Sequence, residues 1–184
     1  MVQEEATTLP PEQWKSSRLR EFQARLLERM EAARDGSGMR DSRLGVVVGD
    51  RHCLLDLREA SEITNLMQVT KVPLTKDWYL GLANVRGNLI GVVDLERFLG
   101  GEQQARGKES RVIVVSSALS GTSGFMVSRV LGLRHIQEMT LLQDMDDASE
   151  ISTGKRYLDQ NRQEWIEISL AAIIGDVRFL QVGL

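Results

Sequence analysis

Beyond Gly38 the apolar residues of this chain come only in short runs, each followed by a turn or a glycine-bearing loop. That punctuation leaves little room for long helix. Leu44-Gly45-Val46-Val47-Val48, the turn Gly49-Asp50-Arg51, and His52-Cys53-Leu54-Leu55-Asp56-Leu57 read as strand, turn, strand. Arg111-Val112-Ile113-Val114-Val115, a loop carrying Gly121 and Gly124, and Phe125-Met126-Val127 repeat the design. Short strands joined in this way predict small barrels or sandwiches.

The two units belong to an internal repeat. Shifting the sequence by about 75 positions lays Ile90, Val93, Leu95, Phe98 and Leu99 on Trp165, Ile168, Leu170, Ile173 and Ile174. Asp94 and Ser169 then both stand where a short helical turn starts, and both residue types cap helices. A shift of about 70 lays Leu55, Leu57, Ala60 and Ile63 on Phe125, Val127, Val130 and Leu133. The polar stretch from Gly100 to Lys108 lies between the halves. The expected division is a first barrel over roughly residues 43–105 and a second over roughly 106–184, following an N-terminal region 1–40.

That N-terminal region differs in period. Residues 1–11 are polar and end in Pro10-Pro11, and they are expected to be disordered. From Glu12 to Arg34, Leu19, Phe22, Leu26, Met30 and Ala33 recur at helical spacing, with charged residues on the other faces. An amphipathic helix is expected, packed on its own domain or docking a partner.

Composition excludes several classes. The net charge of −3 gives no overall attraction to nucleic acid or anionic lipid, and aromatics, 5% of residues, do not alternate with basic ones. Cys53 is the only cysteine, so an internal disulfide and a multi-cysteine zinc site are both excluded. No apolar run approaches the ~20 residues of a membrane helix, and the acidic N-terminus is unlike a signal peptide, so a cytoplasmic protein without direct membrane insertion is expected.

Reactive constellations are equally scarce. His52 and Cys53 adjoin in sequence, but neighbours on a strand point to opposite faces and cannot cooperate. Ser120-Gly121-Thr122-Ser123-Gly124 lacks the Lys and following helix of a phosphate loop. The acidic run Gln143-Asp144-Met145-Asp146-Asp147 lacks the spacing and glycine of a calcium loop. The expectation is a non-enzymatic protein with no catalytic residues, no metal and no cofactor.

One stretch then calls for explanation. Gly81-Leu82-Ala83-Asn84-Val85-Arg86-Gly87 leads into the apolar Leu89-Ile90-Gly91-Val92-Val93 and then Asp94-Leu95, with a charged Arg86 set beside a turn glycine. This order of Gly, apolar pair, Asn, apolar residue, Arg-Gly, apolar strand and Asp-Leu resembles the signature of the CheW family of chemotaxis coupling proteins. Ala60-Ser61-Glu62-Ile63, Val72-Pro73-Leu74, and the second-half segments Arg111–Val115 and Val127–Leu133 extend the resemblance over about residues 43–182. It implies two five-stranded barrels of Src-homology-3 type, mainly β, and an adaptor without catalysis. The implied partners are the regulatory domain of a CheA-type histidine kinase and the cytoplasmic tip of a methyl-accepting chemoreceptor, in arrays tethered to membrane-anchored receptors. The wording around Arg86 and the N-terminal extension are most similar to the branch serving type IV pilus twitching motility.

The residues expected to meet partners are Ala60, Glu62, Val85, Arg86 and Gly87. Arg86 offers a rigid fork of donors, suited to Glu62 or Asp94. Ala60 and Val85 suit either an apolar partner contact or the barrel core. Many relatives have Pro where this chain has Gly91, and glycine keeps the backbone donor that Pro removes. Two readings from other classes compete with the adaptor: a small-barrel nucleic-acid-binding module, and an enzyme whose site is completed by another subunit.

Overall fold

A computed structural model describes residues 41–102, 106–119, 122–144 and 152–184. The expected N-terminal helix lies outside the described residues. The described residues form eleven strands: β1 (Ser42–Val48), β2 (Arg51–Asp56), β3 (Ala60–Asn65), β4 (Tyr79–Val85), β5 (Asn88–Asp94), β6 (Arg111–Val115), β7 (Ser123–Val127), β8 (Arg129–His135), β9 (Thr140–Asp144), β10 (Ser152–Leu158) and β11 (Glu164–Ile168). Among the described residues helix is confined to short turns, α1 (Leu95–Phe98), α2 (Leu170–Gly175) and α3 (Val177–Leu180), with 3-10 turns at Leu57–Glu59 and Ile136–Glu138. The fold is mainly β.

The strands make two sheets, ordered β8-β1-β2-β11-β10-β9 and β3-β6-β7-β5-β4. One sheet therefore has six strands where five were expected. The hairpin β1–β2 lies in the sheet of β8 to β11, and the hairpin β6–β7 lies with β3 to β5. A division at residue 105 does not separate the sheets, because each repeat lends its opening hairpin to the other repeat's sheet. Each hairpin joins its host sheet on both sides, antiparallel through β1 against β8 and β6 against β3, and parallel through β2 against β11 and β7 against β5; the remaining pairings are antiparallel.

The reason lies in the runs Val46-Val47-Val48, Leu54-Leu55 and Val112-Ile113-Val114-Val115. A strand apolar on both faces needs a layer on each side. The main core runs between the sheets and takes Leu44, Val46, Val48, Cys53 and Leu55 from one, and Val93, Ile113, Val115, Phe125 and Val127 from the other. Each sheet also curls over a core of its own. Leu80, Ala83, Val85, Ile90, Val92, Val112, Val114 and Met126 fill the first, and Leu54, Tyr157 and Trp165 the second.

The repeat is visible in where its paired residues sit. Val93 and Ile168, Leu95 and Leu170, and Phe98 and Ile173 all enter the shared core, while Ile90 and Trp165 each fill their own sheet's core. Ile63 and Leu133 are both exposed, at 41% and 56%. The caps correspond too: Asp94 Oδ1 accepts from Arg97 N at 3.2 Å, and Ser169 Oγ from Ala172 N at 3.1 Å. Glu59 adds a second device at α2, accepting from Ser169 Oγ at 2.9 Å and from Leu170 N at 2.7 Å.

Candidate protein-docking site

The turn between β4 and β5 consists of Arg86 and Gly87, since Val85 pairs with Asn88. Both turn residues have positive φ, 50° at Arg86 and 89° at Gly87. A two-residue hairpin with both centres left-handed is of type I′, which favours Asn-Gly because its twist matches that of the strands. Gly87 meets the demand freely. Arg86 does not, and a non-glycine residue held there costs about 1–2 kcal/mol. Asn84 supports the bend, its Oδ1 accepting from Gly87 N at 2.8 Å.

Of the two carboxylates within sequence expectation, Arg86 takes Glu62, with Nη2 3.0 Å from Oε1. Asp94 is fully buried and caps α1 instead. Glu62 lies on β3 and Arg86 at the end of β4, and these strands form opposite edges of the five-stranded sheet. The ion pair therefore spans the seam where the rolled sheet meets itself. Its aim depends on a β-bulge. The register slips between Ala60 and Glu62, leaving Ser61 as the extra residue, and Ser61 Oγ donates to the carbonyls of Val114 and Val115 at 3.2 and 3.1 Å.

Arg86 is 80% exposed and Glu62 25%. The pair adds little to stability, under ~1 kcal/mol for an exposed pair. Below it opens a cleft of about 200 Å³, lined by Ser61, Glu62, Val85, Arg86, Ile90 and Val114 among others. Val85, 7% exposed, belongs to the sheet's own core, so it supports the cleft floor more than it meets solvent. Ala60 is half-buried against the shared core. The structure thus brings Glu62, Val85, Arg86 and Gly87 to one place, with Ala60 two residues back along β3. The Ser61 bulge has no mark in the sequence, and Leu89, 62% exposed beside the turn, was not among the expected site residues. Alternation along β5 could have exposed Leu89, since it falls out of phase with Ile90 and Val92.

Gly91 keeps its donor in use, with N donating to Thr122 O at 2.8 Å. A Pro there would remove that bond. Reactive chemistry has no footing at the histidine–cysteine step. Cys53 is buried in the shared core and burial pushes its thiol up to about 12, while His52 lies edge-on to Trp165 at 5.0 Å. Among the described residues, no group of three or more His, Cys, Asp or Glu side chains is placed to hold a metal. Nor is any helix there long and apolar enough to cross a membrane.

The family model of the CheW-like domain matches residues 43–176. The chain belongs to the CheW-like family. Protein PilI of Pseudomonas aeruginosa PAO1 is 29% identical over 168 residues, 91% of each chain. The chemotaxis protein CheW of Helicobacter pylori is 28% identical over 110 residues, 57% of this chain and 66% of that one. The crystal structure of the scaffolding protein TtCheW from Thermoanaerobacter tengcongensis superposes with a TM-score of 0.59 at 22% identity, over 71% of this chain and 89% of that one. That likeness bears on the fold of this CheW-like chain.

Proposed function

We propose that this CheW-like protein is a non-enzymatic adaptor that couples chemoreceptor cytoplasmic tips to the regulatory domain of a CheA-type histidine kinase. Similarity to PilI along 91% of the chain favours a chemosensory system governing type IV pilus twitching motility. The observation that carries the reading is Arg86. A charged side chain sits at a turn position that disfavours it, makes one exposed ion pair across a seam, and leaves most of its guanidinium in solvent. Backbone strain retained for so little internal gain points to a use outside the molecule.

In this reading Arg86, Glu62 and Gly87 form the polar part of the kinase-facing surface, with Val85 and Ala60 supplying its apolar support. The guanidinium presents a fork to a partner carboxylate or carbonyl, and Glu62 keeps it aimed. The receptor tip would occupy a different face. A body with a continuous core between its sheets passes a displacement at one face to the other without internal slack, and several modest contacts in an array add to a stable assembly.

The test is a pull-down of the purified chain with isolated kinase regulatory domain and receptor tip, quantified by calorimetry. The protein should bind both, and Arg86→Asn should weaken kinase binding by about tenfold or more while leaving receptor binding intact. Failure to bind either partner would remove the adaptor reading. Unchanged kinase affinity in Arg86→Asn would remove Arg86 from it.

A further inference from the structure

A second surface lies away from the Arg86 cleft and shares no lining residue with it. The segment between β3 and β4 forms a cleft of about 340 Å³, lined by Lys71, Leu74, Lys76, Asp77, Tyr79 and Arg106 among others. Three cations face one carboxylate, and that carboxylate is already engaged. Asp77 Oδ2 accepts from Arg97 Nε at 2.9 Å and Nη2 at 2.6 Å. Lys71 and Arg106 are exposed and Lys76 is half-buried. The cleft is thus locally positive on a chain whose net charge is −3.

Its walls are braced by backbone. Lys76 N donates to Val182 O at 2.8 Å, Tyr79 N to Lys76 O at 3.0 Å, and Thr75 Oγ1 to Val72 O at 2.9 Å. Leu74 stands at the lip with φ of 59° and 79% exposure, and its carbonyl accepts from Leu184 N at 3.0 Å. A large apolar residue in the left-handed region, turned to water at the rim of a cationic cleft, is an arrangement that packing alone does not require.

We infer that this cleft docks an acidic peptide segment of a partner protein, with carboxylates meeting Lys71, Lys76 and Arg106 and an apolar residue resting on Leu74. The cations come from separate places along the chain, Lys71 and Lys76 at either end of one segment and Arg106 from another, and Val72, Leu74 and Leu80 in the walls carry no side-chain donors. Both features suit an extended chain better than a single phosphate. The contact depends on charge and is weakened by salt. It stands independently of the coupling role proposed for Arg86.

The test is to titrate the isotope-labelled full chain, at low salt, with a short peptide of glutamates flanking one leucine, and to follow backbone amide shifts. Shifts should concentrate at Lys71–Leu80 and Arg106. The exposed double variant Lys71→Gln/Arg106→Gln should bind roughly tenfold more weakly while keeping the wild-type spectrum elsewhere. Arg129→Gln, at a cation outside the cleft, should bind as wild type does. Equal binding by the double variant, an equal loss in Arg129→Gln, or saturation of the cleft by pyrophosphate with no response to the peptide would each overturn the inference.

Discussion

The hairpins β4–β5 and β10–β11 hold matching places in the two repeats, each leading into a capped helical turn, yet their tips are built in opposite ways. The first turns in two residues, and a Cβ added at Gly87 would meet nothing within 4 Å. The second uses Asp159 to Gln163 and folds back on itself. Asp159 Oδ1 accepts from Asn161 N and Gln163 N, both at 2.9 Å, and Oδ2 accepts from Trp165 Nε1 at 3.0 Å. Trp165 is 1% exposed, and the Arg134 guanidinium lies 5.0 Å above its ring. Both tips place an Arg at positive φ, Arg86 at 50° and Arg162 at 61°. Arg86 pairs with Glu62 and lines the cleft beside it, whereas the second tip lines its own cleft through Asp159, Gln160 and Asn161. A duplicated hairpin has thus been used once as an anchor and once as a surface.

That contrast predicts a large effect at the anchor. Trp165→Ala should cost about 3–5 kcal/mol of unfolding free energy, as expected for truncating a fully buried Trp. Urea unfolding measures it, and a loss under about 1 kcal/mol would show the second tip to be as loosely held as the first.

A smaller effect is expected at Asp159. Burial raises its pKa, but the amides of Gln163 and Asn161, the Trp165 indole and the Arg134 charge outweigh burial, and the carboxyl is held below its ordinary value. A depressed pKa contributes stability that is complete above the unfolded value and is lost as pH falls through the folded one. Asp159→Ala should cost about 1–3 kcal/mol near neutral pH. The gap between variant and wild type should close as the solution is acidified below about pH 4. If the proposed kinase coupling holds, the variant should keep wild-type kinase affinity, because nothing at this tip belongs to the Arg86 surface.

Much of this was legible in sequence where it depended on local chemistry. The valine runs, the glycine turns and the capping pair Asp94 and Ser169 specify strands and helix starts through near-neighbour effects, and the repeat carried the pairing of Val93 with Ile168 and of Ile63 with Leu133. The exchange of opening hairpins was not legible. A run such as Val112–Val115 reports that both faces are buried, but it carries no record of which strand lies beside it. At the site, Arg86-Gly87 announced a turn, whereas the choice of Glu62 over Asp94 rested on the Ser61 bulge. That bulge arises from pairing with β6, some fifty residues later in the chain.

The smallest effect is the sharpest test of the comparison, because two small terms of opposite sign meet at Arg86. Asn is among the residues that most readily adopt positive φ, so Arg86→Asn should recover about 1 kcal/mol of turn strain. The same change removes an exposed ion pair worth under ~1 kcal/mol. The sum should lie between no change and about 1 kcal/mol of added stability. Arg86→Ala loses the pair without equal relief, because Ala tolerates positive φ poorly, and it should be the less stable of the two. The order of melting temperatures, Asn above Ala, therefore separates strain from pairing. If Arg86→Asn melted well below wild type, the Glu62 contact would be holding the rolled sheet shut, and the first tip would be an anchor like the second.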